Sequence, residues 1–189
     1  MFNLSPVARN ILFICVAVYI VQAMIGERVT VLLELHPIRS PYFRPYQLFT
    51  YMFAHGGITH IFFNMLMLSF VGPLLEMIWG QQRFLLFYLA TGIGAALIYA
   101  GVEYFMDPFG GHPMLGASGA IYGLLMGFGL MMPDREMQLM IPPVRIKAKY
   151  LVFLLGGITY LLDRDGSTAH AAHFGGAFVG FLMIKVFKF

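Results

Sequence analysis

Residues 116–132 read G-A-S-G-A-I-Y-G-L-L-M-G-F-G-L-M-M, an apolar run in which a single serine stands between glycines. Gly119 and Gly123 are four residues apart, so they lie on one face of a helix. Gly176 and Gly180 repeat this spacing near the end of the chain. Within a membrane, small residues at this spacing let two helices approach closely. The sequence therefore predicts that two membrane helices pack against each other along these glycines.

The composition places the chain in a lipid bilayer. Hydrophobic residues make up 59% of the 189 residues and charged residues 11%, and the mean hydropathy is +0.77. Soluble proteins have about 45–50% apolar and about 25% charged residues, so a soluble globular enzyme and a disordered chain are both excluded. The net charge is only +3, and no cluster of Lys and Arg alternates with aromatic residues. Nucleic acid is therefore not an expected partner.

Six apolar segments have about the length that a membrane-spanning helix needs. They are residues 9–26, 58–78, 84–102, 116–132, 148–162 and 168–186. Residues 27–57 contain three prolines and many aromatic residues, which is typical of an interfacial segment rather than of a span. We therefore expect one domain, residues 1–189, that forms an all-α bundle of six transmembrane helices. Its first outer loop is expected to be partly embedded in the membrane.

The distribution of basic residues predicts the orientation in the membrane. With six spans, eight Lys and Arg residues lie on the side of the two termini and four lie on the other side. Cytoplasmic loops carry the excess of Lys and Arg, so both termini are expected in the cytoplasm. The chain is thus predicted to be a multi-pass protein of the cell's inner membrane.

Several polar side chains interrupt the predicted spans, where polar groups are costly and usually functional. His60 and Asn64 lie on one face of the second span, Ser118 begins the fourth, and His170 and His173 begin the sixth. These spans run in the same direction, so their polar ends converge at a similar depth. A serine needs an adjacent base to act as a nucleophile, and contact between the glycine faces would bring His173 level with Ser118.

A metal site is the alternative for the histidines. The pairs His55 with His60 and His170 with His173 could supply imidazole ligands, and catalytic zinc usually takes three protein ligands. No cysteine lies near either pair, and the H-E-x-x-H pattern of helical zinc proteases is absent from the sequence. We therefore predict neither a metal nor another cofactor.

Four motifs in order resemble those of the rhomboid intramembrane serine proteases. Residues 116–119 match the G-x-S-G motif of the nucleophile, and A-H-A-A-H-F-G-G at 169–176 matches the histidine motif of the last helix. H-I-F-F-N at 60–64 resembles the family's H-x-x-x-N, and residues 72–80 resemble its G-P-x-x-E-x-x-x-G. One departure is the stretch 46–50, Y-Q-L-F-T, where many members carry a Trp-Arg pair.

The resemblance implies a role for each residue that matches a motif. Ser118 would be the nucleophile and His173 its general base, with the ring of Tyr122 stacked on the histidine. The oxyanion donors are expected from Asn64, from His60 and from the backbone N–H of Ser118, in the motif that begins with Gly116. The implied substrates are transmembrane segments of other proteins, cleaved by a Ser–His dyad without an acidic third member.

Two other functions remain as alternatives. A non-catalytic relative with the same fold would bind transmembrane clients, but such proteins lose the serine or the histidine. A transporter would show inverted repeats or deeply placed charges, and the sequence has neither. Among the other polar residues, Glu76 is expected to anchor a helix by a hydrogen bond, His55 to hold the first loop, and His112 to be solvated.

Overall fold

The computed structural model describes residues 4–106, 112–138, 143–162 and 170–189. In chain order the elements are α1 Pro6–Ile25, α2 Glu27–Leu33, α3 Gln47–Thr50, a 3₁₀ turn Tyr51–Phe53, α4 Ile58–Trp79, α5 Gln81–Met106, α6 Ser118–Met131, β1 Glu136–Gln138, β2 Arg145–Lys147, α7 Ala148–Leu162 and α8 His170–Lys185. The six predicted spans overlap α1, α4, α5, α6, α7 and α8. Residues 168–169 of the last predicted span lie outside the described residues.

Within the described ranges, α1, α4 and α5 are long and apolar enough to cross a membrane. The 22 residues of α4 give a length of about 33 Å, which exceeds a hydrocarbon core of about 30 Å. α6 and α7 are shorter apolar helices. The chain is thus a multi-pass, helical membrane protein.

Helix α6 occupies the centre of the bundle. It packs against α4, α5, α7 and α8, and ten of its fourteen residues are buried. Because lipid tails are as apolar as its side chains, packing of small residues against neighbouring backbones holds such a helix in place. Ser118 is the first residue of this central helix.

The close approach of α6 and α8 depends on the glycines of α8. A Cβ atom on Gly176 would overlap the backbone carbonyl of Gly119, and a Cβ atom on Gly180 would lie 2.9 Å from the carbonyl oxygen of Gly123. The missing side chain of Gly123 itself faces Thr91 on α5, where a Cβ atom would overlap that side chain. The α6 glycines therefore make room on the α5 side, and the α8 glycines make room for α6.

Glu76 anchors the start of α1, as expected of a hydrogen-bonding carboxylate at this position. Its carboxylate accepts hydrogen bonds from the Ser5 hydroxyl, from the Val7 N–H at 3.0 Å and from the Ala8 N–H at 3.0 Å. The first N–H groups of a helix have no acceptor within the helix, so a carboxylate there stabilises its beginning. The α4 side chain thus fixes where α1 begins.

The connection after α4 is shorter than predicted. The predicted spans 58–78 and 84–102 leave a connection of residues 79–83, but Gly80 alone, with φ +76°, separates α4 from α5. Only glycine adopts this left-handed conformation without strain, so one residue suffices to end the helix. α5 continues to Met106, beyond the predicted end at residue 102, because nothing in that stretch breaks a helix before the prolines that follow.

The loop predicted over residues 133–147 contains a short β-hairpin that the all-α expectation missed. β1 and β2 pair antiparallel with Met137 opposite Ile146. At its base Asp134 accepts hydrogen bonds from Lys149 at 3.0 Å and Lys147 at 3.2 Å, and these bonds hold the pKa of Asp134 below its usual value. Strands of three residues are too short to produce a periodic pattern in the sequence.

Candidate active site

The hydroxyl of Ser118 and the imidazole of His173 form the centre of the site. Oγ of Ser118 lies 2.8 Å from Nε2 of His173, within hydrogen-bond distance. With the ring proton on Nδ1, the hydroxyl donates to Nε2. His173 is 9% exposed and Ser118 is half-buried. The contact of Gly176 with α6, one turn along α8, holds the two side chains at this distance.

The ring of Tyr122 packs against one face of the His173 imidazole. Tyr122 follows Ser118 by one helical turn, and its ring stacks on that of His173 with centroids 4.2 Å apart and an angle of 12° between the planes. Its hydroxyl lies 3.1 Å from the hydroxyl of Thr159 on α7. The stacking holds the imidazole in the plane from which Nε2 faces Ser118.

The other nitrogen of His173 carries no acidic partner among the residues that the structure describes. Nδ1 of His173 is buried and has no hydrogen-bond partner there. The second histidine of the motif, His170, contacts His173 edge to face at 6.2 Å between centroids and packs on Tyr160 at 5.3 Å. Of the two imidazoles, it is that of His173 that hydrogen-bonds Ser118.

Gly116 shapes the turn that leads into Ser118. Its φ of +119° is available to glycine but strained for other residues, and a Cβ atom there would lie 2.6 Å from Nε2 of His60. Its N–H donates to the carbonyl of Tyr51 at 2.9 Å. This N–H is therefore already bonded, and Gly116 contributes its conformation and the space for His60 rather than a free donor.

Asn64 and His60, both on α4, lie next to Gly116 in this turn. Asn64 is 7% exposed, and its amide donates to the carbonyl of His60 in the same helix at 3.0 Å. The amide therefore bonds within α4 and does not tie two helices together through that contact. The Gly56 N–H lies 3.5 Å from Nδ1 of His60, so the proton of this ring belongs on Nε2, the nitrogen beside Gly116.

Ser118 also presents its backbone to the site. As the first residue of α6 it has an N–H without an acceptor inside the helix, at the positive end of the helix dipole. The arrangement thus combines a hydroxyl, a base at hydrogen-bond distance and nearby N–H donors. These are the components that acyl transfer to a serine requires.

Two further histidines do not contact the dyad: the ring of His55 packs on that of His60 with centroids 5.2 Å apart, and His112 lies in a loop. His55 is buried, and its backbone N–H donates to the side-chain oxygen of Gln22 on α1 at 3.0 Å. Burial, aided by the nearby imidazole of His60, lowers the pKa of His55 to about 4. The side chain of His112 is exposed.

Two residues that support the site were not predicted from the sequence. The Tyr51 hydroxyl donates to the carbonyl of Gly92 on α5 at 2.7 Å, and its own carbonyl holds Gly116. No local pattern marks this contact, because the partners are far apart in the chain. Thr159 had a visible signal, since it is a hydroxyl within an apolar span, the same criterion that singled out Ser118.

A helical membrane bundle with a serine and a histidine in contact on two adjacent helices is the architecture expected from the motifs, and comparison with known proteins agrees. The family described as "Rhomboid domain" matches residues 42–188, and the chain therefore belongs to the rhomboid family. The resemblance inferred from the motifs is thereby confirmed. The residues of the site lie within the matched region.

Two similar proteins are named "Rhomboid protease GlpG", one from Salmonella paratyphi A (strain ATCC 9150 / SARB42) and one from Salmonella typhi. Each is 29% identical to this chain over 185 residues, which cover 96% of this chain. The same alignment covers 63% of each relative, so the chain spans less than two thirds of their length.

Proposed function

We propose that this chain is an intramembrane serine endopeptidase that cleaves transmembrane segments of other proteins by a Ser–His dyad. The observation that carries the proposal is the 2.8 Å hydrogen bond between Ser118 and His173 in a chain of the rhomboid family. The name protease belongs to the relatives, and its extension to this chain rests on that contact.

The first half of the reaction forms an acyl-enzyme. His173 takes the hydroxyl proton through Nε2 while Oγ of Ser118 attacks the carbonyl carbon of the scissile bond. The tetrahedral intermediate then loses its amine, to which the imidazolium of His173 returns the proton. The face of the Tyr122 ring attracts the transient imidazolium more strongly than the neutral imidazole.

The developing oxyanion needs donors, each worth about 3–4 kcal/mol. Two candidate donors are the backbone N–H of Ser118, which has no acceptor within α6, and Nε2–H of His60, which lies beside Gly116. The Asn64 amide carries two protons, so it can keep its bond to the His60 carbonyl and donate the second.

The second half of the reaction is hydrolysis. His173 removes a proton from water, whose oxygen attacks the ester carbonyl, and the same proton then returns to Oγ of Ser118 as the acid product leaves. Ser118 is only half-buried, which leaves room for a water molecule beside its hydroxyl. The short fifth span and residues 27–57 flank the route to the site, and either could gate the substrate.

The proposed setting is a single six-span domain, residues 1–189, with both termini in the cytoplasm. Its support comes from the three helices that are long enough to span and from the excess of basic residues on the side of the termini. α6 has only 14 residues, about 21 Å of helix, so its first residue lies below the membrane surface if its end reaches the opposite face. A transmembrane substrate would meet Ser118 at that depth.

A fluorophosphonate probe tests the proposal against the client-binding alternative. The probe phosphonylates a serine that an adjacent base activates, so we expect labelling of the wild type and none of Ser118→Ala. Ser69→Ala is the matched control, because Ser69 is also half-buried in a membrane helix and its hydroxyl donates to its own helix, at the Met65 carbonyl. Equal labelling of the wild type and Ser118→Ala would refute a serine nucleophile at this position.

A further inference from the structure

The hydroxyl of Thr159 lies where three hydrogen-bonding atoms meet. Its Oγ1 is 3.1 Å from the Tyr122 hydroxyl, 2.9 Å from the carbonyl of Leu155 and 3.0 Å from the carbonyl of Gly156. A threonine hydroxyl has one proton, and carbonyl oxygens can only accept. Both hydroxyl protons are used when Thr159 donates to its own helix and accepts from Tyr122.

We propose that Thr159 is a positioning residue for the reaction, which holds the Tyr122 ring flat against the imidazole of His173. The inference rests on the proposed function, because it assigns Thr159 to the support of the general base. Tyr122 stacks on His173 at one face, while its hydroxyl is bonded to α7 at the far end of the ring. The ring is thereby fixed along its length.

Helix α7 contacts the same ring at a second point. The position that a Cβ atom of Gly156 would occupy lies 3.8 Å from Cε1 of Tyr122, so the helix backbone passes along the edge of the ring. Gly156 and Thr159 lie on one face of α7, one turn apart. The neighbouring Tyr160 and Phe153 are 69% and 70% exposed, so the tyrosine contacts are made by the face that turns away from lipid.

The orientation of the ring matters more in the transition state than in the resting enzyme. The face of an aromatic ring carries partial negative charge, so a parallel stack favours an imidazolium over a neutral imidazole. The imidazolium exists only after Ser118 has given up its proton. Loss of the Thr159 hydroxyl should therefore reduce kcat and leave substrate binding unchanged.

The test uses a synthetic single-span peptide with a fluorophore and a quencher, cleaved by the purified chain in detergent. Thr159→Val keeps the shape and removes the hydroxyl, and we expect kcat to fall about 3- to 10-fold with KM within about twofold of wild type. Thr159→Ser, which keeps the hydroxyl, should restore kcat to within about twofold. Tyr150→Phe removes an exposed hydroxyl near the start of the same helix and serves as the matched control.

Tyr122→Phe completes the comparison, because it removes the other hydroxyl and keeps the ring. If the two hydroxyls act through one bond, the double variant with Thr159→Val is no slower than the slower single variant. Unchanged kcat in Thr159→Val, or independent effects that multiply in the double variant, would overturn the assignment. Should Thr159→Val fail to fold, wild-type kcat in Tyr122→Phe would overturn it instead.

Failure of the proposed function gives a different result. In that case the wild type shows no cleavage that Ser118→Ala abolishes, and the assignment of Thr159 falls with it. Cleavage that depends on Ser118 but not on the Thr159 hydroxyl overturns the positioning role alone.

Discussion

Gly176 of α8 lies directly against the backbone carbonyl of Gly119 of α6, with no space for a methyl group between them. Gly119 follows Ser118 in the chain, and Gly176 lies three residues after His173. The contact between the two backbones is therefore about one helical turn from the hydrogen bond of the dyad. Any force that separates the helices at this point also separates Ser118 from His173.

Gly176→Ala should lower both stability and activity. The added methyl group meets a backbone carbonyl that cannot rotate away, so we expect a loss of about 1–3 kcal/mol and a melting temperature several degrees lower in detergent. Gly157→Ala is the control, because among the described residues no atom outside the local backbone of α7 lies within 4 Å of the added Cβ. Wild-type melting and full cleavage by Gly176→Ala would refute the role of this contact.

The two histidines of the last helix should differ in their importance. His173→Ala removes the imidazole that hydrogen-bonds Ser118, so cleavage of the transmembrane peptide should fall to the level of Ser118→Ala. His170→Ala should retain a measurable fraction of the activity, because its ring contacts His173 only by an edge. Turnover of the three purified variants decides the matter, and an inactive His170→Ala beside an active His173→Ala would reverse the assignment.

Asn64→Ala should lower turnover far more than stability. Loss of one oxyanion donor costs about 100- to 1000-fold in rate, whereas the bond of this amide lies within α4 and its loss should not separate helices. Ser69→Ala removes a side-chain bond of the same kind from the same helix, to the carbonyl four residues earlier. Turnover and melting temperature are measured on both variants. A large fall in the melting temperature of Asn64→Ala with near-normal turnover would make Asn64 structural.

Acid should destabilise the fold through His55. Its pKa is lowered to about 4 in the folded chain from 6.5, so the unfolded chain binds the proton first as the pH falls. The contribution of neutral His55 is complete above pH 6.5 and is lost progressively towards pH 4, by about 2–3 kcal/mol. The melting temperature of His55→Phe should therefore decrease less between pH 7 and pH 4 than that of the wild type. Parallel decreases in the two proteins would contradict this.

Sequence reasoning located the helices more reliably than their ends and connections. Apolar length alone marks α4 and α5, because burial in lipid demands an unbroken run. It overestimated the turn at residues 79–83, since a single glycine in the left-handed conformation can end one helix where the next begins. In the hairpin, exposed polar residues flank the half-buried Met137 and Ile146, but strands of three residues are too short for this alternation to be recognised in the sequence.

The site residues that belong to sequence motifs were predictable, whereas those that act through tertiary contacts were not. The spacing of Gly176 and Gly180 suggested that α8 approaches the helix of Ser118. The spacing did not predict that Gly123 of α6 makes room for Thr91 on α5, because a row of small residues does not indicate which helix packs against it. The bond from Thr159 to Tyr122 depends on how α7 is rotated, which local sequence does not determine.

The turn that carries Ser118 is shaped from outside its own sequence. Leu35 exchanges two backbone hydrogen bonds with Met114, at 2.8 and 2.9 Å, and Tyr51 accepts the N–H of Gly116. The ribosome makes Leu35 and Tyr51 well before Met114 and Gly116, so the residues that bond this turn are already synthesised when it emerges. The turn that carries the nucleophile thus depends on residues that are synthesised before it. A fragment that begins at α4 would contain Ser118 and His173 but would lack Leu35 and Tyr51, whose backbone bonds shape the turn.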